Sequence, residues 1–156
     1  MPAHTDAIRR FADGGPLLAR EIEGLTREEL LAFPVPGTWS IQQIVIHVVD
    51  SDLMAADRMK RVIAEDIPLL VNADENLWIA RLTPEHLDAH QAAQLFALHR
   101  ALTTAMLSQQ PEEAFSRFGI HTRSGKKSLL DLVNGFADHL DSHLVHLRKK
   151  RKMLGK

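Results

Sequence analysis

The sequence predicts an all-α protein, a four-helix bundle with a long connector between its second and third helices. Three observations carry this expectation. Four segments of bundle length repeat apolar residues at the three- and four-residue spacing of a single helix face. Capping residues and prolines stand where such segments begin and end. The stretch between the second and third segments is about 15 to 20 residues long, which marks a connector that is functional or holds structure of its own. No repeat, low-complexity segment or linker divides the chain, so residues 1–156 read as one domain, long enough to bury a core.

The first helix is expected from about Thr5 to Glu23, with Ile8, Phe11, Leu18, Ile22 and, just beyond it, Leu25 as its apolar stripe. Gly14–Gly15–Pro16 should kink or break it, because proline removes an interior hydrogen bond and glycine loosens the backbone. Thr26–Arg–Glu–Glu29 is a capping box that opens one short turn, and Pro34–Val–Pro36–Gly37 is a rigid loop. The second helix is expected from about Thr38, as N-cap, to about Glu65. Ile41, Ile44, Val45, Val48, Val49 and Leu53 give it a broad apolar face, and Pro68 lies just past its end.

Within the connector, Asn72–Ala–Asp–Glu75 announces a small helix. Thr83–Pro84 opens the third long helix with a cap followed by proline at the first helical position. Its expected stripe is Leu87, Leu95, Leu98, Leu102 and Met106, ending near Gln110 before Pro111. The segment from Pro111 to Lys127 contains Gly119 and Gly125 and reads as irregular. Ser128–Leu–Leu–Asp131 caps the last helix, whose core face carries Leu129, Leu132, Val133, Phe136, Leu140, Leu144 and Leu147.

Composition narrows the function. Apolar residues make up 45% and charged residues 25%, the mix of a soluble globular protein. A net charge of −1 gives no general attraction to nucleic acid or to an anionic membrane, so neither is expected as a partner. With no cysteine, the chain has no thiolate nucleophile, disulfide framework or cysteine zinc ribbon, and any thiol chemistry would need an external thiol. The charged first ten residues lead into no signal-type apolar stretch, and runs such as Ile44–Val45–Ile46 are too short for a bilayer. A cytoplasmic location is the expectation.

Histidine is where chemistry concentrates. His143 and His146 each fall within roughly 40° of His139 on a helix. Such a row is either a set of partly buried, hydrogen-bonded imidazoles or part of a metal site, since zinc, nickel and similar ions accept imidazole nitrogen. Spacing alone decides nothing, because nine histidines in 156 residues supply roughly half a chance pair four apart. His86 and His90 are such a pair, and at the start of the third helix they are expected to be exposed and unbound.

His139 and His143 stand out because their face also carries core leucines. A third ligand would come from another helix, and His47, between Val45–Ile46 and Val48–Val49, is the source. Asp50, one turn on, either orients His47, completes the coordination, or is a solvated surface acid. There is no His–Glu–x–x–His, no Glu–x–x–His and no glycine-rich phosphate loop. The run Arg148–Lys149–Lys150–Arg151–Lys152 reads as a helix C-terminus complementing the dipole rather than as a nucleic-acid tail.

Three segments together carry a family resemblance. Gly37–Thr–Trp39–Ser40 leading to His47 and then Asp50–Ser51–Asp52 resembles the second helix of the DinB/YfiT-like metalloprotein superfamily. Asp74–Glu75–Asn76–Leu77–Trp78 is similar to the connector of its YfiT-like branch, and Phe136–Ala–Asp–His139–Leu–Asp–Ser–His143–Leu–Val–His146 to that branch's last helix. The resemblance implies a four-helix bundle in which His47, His139 and His143 hold one divalent metal, zinc or nickel first among candidates. It places His146 in a supporting or substrate-side role, with Asp50 and His146 the nearest candidates for a proton acceptor. The implied activity is transfer of a low-molecular-weight thiol to a small-molecule electrophile. Metal-dependent hydrolysis at the same site, or a non-catalytic metal-binding or dimerisation bundle, stays open, and a homodimer is expected.

Overall fold

The computed structural model describes residues 2–156. The bundle is built from α1 (Ala3–Asp13) continued by α2 (Leu17–Ile22), α4 (Ile41–Ala64), α6 (Ala89–Ser108) and α7 (Leu129–Met153). A short α3 (Arg27–Leu31) precedes α4, and α5 (Glu75–Arg81) lies in the connector after it. Helix α4 packs on both α6 and α7, and α1 closes the other side against the same two helices. The expected all-α, four-helix architecture is present. No helix among the described residues is long and apolar enough to cross a membrane.

The first helix breaks where expected, at Gly14–Gly15–Pro16. A Cβ on Gly14 would lie 2.5 Å from Arg100 Nη1 and 2.7 Å from Leu140 Cδ2, so only glycine lets the three helices approach here. The expected capping boxes form at Thr26 and Ser128. The start of α4 differs: its cap is Ser40, which exchanges side-chain and backbone hydrogen bonds with Gln43 at 3.0 and 3.1 Å. Thr38 instead donates its hydroxyl to the Val35 carbonyl and accepts from Lys150, tying the loop to the end of α7.

Helix α5 is capped by Asp74 rather than Asn72, whose backbone N–H goes to the Thr122 hydroxyl. Thr83–Pro84 opens only a 3-10 turn, Pro84–His86. Helix α6 begins a turn later, with Asp88 accepting from the His90 and Gln91 amides.

The expected stripe of the third helix faces the wrong way. Leu87 and Leu95 are exposed, and Leu98 and Leu102 are 68% and 73% exposed. The inward face is Ala89, Ala93, Phe96, Arg100, Thr103 and Leu107. At the glycine break of the first helix this face presents Arg100, whose Cβ would lie 3.8 Å from a Cβ on Gly15, while Ala89 and Ala93 pack in the core cluster with Leu18 and Ile22.

The segment expected to be irregular contains a small sheet. Strands β2 (Phe118–His121) and β3 (Gly125–Ser128) form an antiparallel hairpin, and β1 (Leu69–Leu70) from the connector adds to β2 in parallel. Gly119 allows this approach: a Cβ there would lie 2.8 Å from the Pro68 carbonyl. Arg117, entering β2, donates to the Val62 and Glu65 carbonyls and so satisfies the C-terminal end of α4. The connector is thereby pinned beside the half of α4 that leads away from His47.

Candidate metal centre

His47 sits in the second turn of α4, and His139 and His143 lie one turn apart on α7, the helix packed against it. The capping boxes at Ser40 and Ser128 fix where each helix starts and hence which face each imidazole occupies. Nε2 of His47 lies 3.1 Å from Nε2 of His139, and one nitrogen from each of the three rings lies within 4.8 Å of the others. The ring centroids are 4.5 to 5.1 Å apart, with the planes steeply inclined. Trp39, just before the α4 cap, lies parallel to the His143 ring and tilted against His47, while Phe136 meets His139 edge-on.

The surroundings keep these rings neutral. Burial, and then the neighbouring imidazoles and Arg100, push His139 down to about 3. Burial, His47 and His146 push His143 down to about 4, with Glu75 opposing. Burial also lowers His47, again against Glu75. Three neutral imidazoles with converging nitrogens on two rigid helices are a donor set that suits zinc, nickel or a similar divalent ion, with coordination positions to spare. The residues present therefore fit such an ion.

The histidines lie in a cleft of about 350 Å³ between α4, α7 and the connector. Asp50 and Ser51 of α4, and Glu75 and Trp78 of α5, also line it. Asp50 makes no hydrogen bond to His47 among the described residues; it is a half-buried side chain on the cleft wall, its pKa raised by that burial. His146 is exposed and lies outside the cleft, in a neighbouring groove with Lys149 and Lys150 on the far side of Trp39. His86 and His90 are exposed and belong to no three-ligand cluster among the described residues.

Several residues around the site escape sequence reasoning. Arg58 of α4 lines the cleft from its far end. Beneath the site, Arg100 is 1% exposed and is held by Asp52 at 2.9 Å, by the Phe11 and Phe136 carbonyls, and between the rings of Phe11 and Phe96. His99 contacts the other Asp52 oxygen at 3.2 Å. A mid-helix arginine on the small-residue face of α6 was the one available signal for this network, and it was masked by the leucines around it. The connector segment Asp74–Trp78 does reach the cleft, through Glu75 and Trp78.

Comparison with known proteins places this geometry in context. Residues 14–147 match the model of the DinB superfamily. A protein of Bacillus mycoides (strain KBAB4) named "Putative metal-dependent hydrolase" is 29% identical over 94% of this chain and 84% of its own. One of the same name from Oceanobacillus iheyensis is 29% identical over 93% of this chain and 85% of its own. The structure of YfiT from Bacillus subtilis, described as a probable metal-dependent hydrolase with an unusual four-helix bundle topology, superposes with a TM-score of 0.90. It is 21% identical, and the match covers 97% of this chain and 87% of that one. A mycothiol-dependent maleylpyruvate isomerase has the same fold, with a TM-score of 0.73 at 15% identity over 94% of this chain and 61% of its own.

Proposed function

The chain belongs to the DinB superfamily, and from that premise we propose that it is a metal-dependent enzyme whose His47, His139 and His143 hold one divalent ion, zinc or nickel, against a small-molecule substrate. The observation that carries this is the convergence of three neutral imidazole nitrogens within 4.8 Å at the wall of an open cleft. When bound, such an ion supplies Lewis-acid chemistry at its open positions and lowers the pKa of a water or thiol that meets it. Trp39 and Phe136 hold the ring planes of the histidines in place. In this reading Asp50, which lines the cleft one turn beyond His47 and whose pKa is raised by burial, takes the proton that the nucleophile loses. His146, outside the cleft, is assigned no part in that transfer.

Water is the nucleophile that the relatives' names favour, making the reaction a hydrolysis. A second reading, transfer of a low-molecular-weight thiol to an electrophile, is favoured by the walls. Met54, Trp78 and Phe136 offer polarizable and aromatic surface that suits sulfur, and the chain has no cysteine of its own to compete. The proposal includes a homodimer that uses the exposed leucines of α6.

One experiment tests the centre and separates the two reactions. Untagged protein is analysed for bound metal, then assayed for conjugation of monochlorobimane with a panel of biological thiols and for hydrolysis of a panel of esters and amides. About one ion per chain, with a metal-dependent rate in one assay, is the expected result and names the nucleophile. Metal-free protein that takes up no zinc or nickel on titration contradicts the proposal.

A further inference from the structure

The cleft has a second chemical pole that the histidines do not explain. Arg58 follows His47 on α4 by three turns and about 20°, which puts it roughly 16 Å farther along the same helix face. Its side chain lines the cleft and a neighbouring depression of about 420 Å³ that shares Met54, Asn72, Ala73 and Trp78 with it. The residue is only 9% exposed, yet no carboxylate pairs with it among the described residues. Among the described residues its one protein hydrogen bond runs from Nη2 to the Val71 carbonyl at 2.6 Å, which leaves the rest of the guanidinium fork without a partner there.

A tether to Val71 does not account for a cation here. The segment around Val71 is already fixed by sheet hydrogen bonds from Thr122 to the Leu70 carbonyl and from Asn72 to the Thr122 hydroxyl. A neutral donor would serve as well for one carbonyl, whereas a buried charge without a counter-charge is costly. Asp57, the acid whose charge acts on Arg58, is engaged by Arg61 at 2.8 Å. The acids of the cleft gather at the other end: Glu75 acts on His47 and His143, and Asp50 is one turn from His47. The cleft is therefore polarised, with imidazoles and carboxylates at one end and a lone guanidinium at the other.

We propose that Arg58 is an anion subsite, and that the cleft takes an elongated ligand bearing a carboxylate or phosphate at the end remote from the histidines. The guanidinium fork receives the anion bidentately, and Trp78 and Met54 flank the chain of the ligand between the two poles. This rests on the reading of the cleft as a substrate site, but not on any metal being held there.

The two tryptophans of the chain, Trp39 and Trp78, both line the cleft, so intrinsic fluorescence reports on its occupancy. Metal-loaded protein is titrated with hexanoate, hexyl phosphate and the neutral hexanamide. At least one anion is expected to bind about tenfold more tightly than hexanamide, and the stronger of the two identifies the ligand class. Arg58→Gln should remove that advantage, Arg58→Lys should keep part of it, and hexanamide binding should not change in either variant. The advantage should persist in His143→Ala protein, so failure of the metal centre would leave this result standing. Equal binding of hexanoate, hexyl phosphate and hexanamide by the wild-type protein, a comparison that needs no variant, overturns the proposal. So does an anion advantage that survives Arg58→Gln and disappears in His143→Ala, which would place the anion at the histidines.

Discussion

Nε2 of His47 and Nε2 of His139 face each other at 3.1 Å across the seam between α4 and α7. Without an ion, one of the two nitrogens must carry a proton for the contact to be attractive, and protonating both rings would force two cations together. Burial, then His143 and His47, hold His139 at about 3, and burial, then His47 and His146, hold His143 at about 4, both far below a free imidazole.

A pH dependence of stability follows, with a definite sign. Unfolded imidazoles titrate near 6.5, so below that value the unfolded chain binds more protons than the native one, and native stability is lost as pH is lowered. The loss should begin near pH 6.5 and continue toward pH 4 and below as the depressed native values are approached. Urea unfolding of chelator-treated protein at pH 7.5 and 4.5 measures it. His139→Gln, which removes the most strongly shifted ring, should reduce the difference between the two pH values. An unchanged difference would show that ordinary carboxylate titration accounts for all of it.

Metal content should track the three convergent rings alone. His47→Ala, His139→Ala and His143→Ala should each lower zinc or nickel affinity by about 100-fold or more, an effect larger than loss of a supporting contact. His146→Ala should bind metal as the wild-type protein does, because its side chain lies outside the cleft. Elemental analysis after dialysis against a competing chelator reads both. Loss of metal in His146→Ala would put the centre on the other side of Trp39.

Much of this arrangement was legible before folding. The start of α7 is written in its cap and the core faces of α4 and α7 in apolar spacing, although α4 starts at Ser40 rather than at Thr38, and those two helices carry His47, His139 and His143 to one another. The orientation of α6 was not legible, because leucine ordinarily marks the inside of a helix, and here Ala89, Ala93, Phe96, Arg100, Thr103 and Leu107 take the inward positions while Leu95, Leu98 and Leu102 face out. The sheet was hidden for a different reason. Its strands are two to four residues long and rich in glycine and lysine, and only pairing between the connector and the later hairpin makes them strands. Arg58 and Arg100 read as ordinary helix-surface cations until the tertiary fold buries them.

Burial of Arg100 carries its own prediction. Arg100→Met would leave Asp52, 2% exposed, with only His99 as a polar partner and would free the Phe11 and Phe136 carbonyls from the guanidinium. A loss of about 3–5 kcal/mol is expected by urea unfolding, the range for breaking one side of a buried pair. Adding Asp52→Leu should recover part of that loss, because the stranded carboxylate is then gone. Failure of the double variant to recover any stability would assign the cost to the freed carbonyls instead.

The outward leucines of α6 lead to the last prediction. Leu95, Leu98 and Leu102 follow one another at three- and four-residue spacing on one exposed face, with Leu98 and Leu102 more than two-thirds exposed. Scattered exposed leucines are ordinary on a monomer, but an aligned row on a rigid helix is the surface that a second copy of the same helix covers in a two-fold dimer. Sedimentation velocity at micromolar concentration should show a dimer. Leu98→Lys with Leu102→Lys should shift the protein to monomer by placing like charges against each other across the two-fold axis, while metal content stays at the wild-type level because the histidines lie on α4 and α7. A wild-type protein that sediments as a monomer throughout would mean that the row faces solvent, and that α6 was shaped only by the close crossing on its inner side.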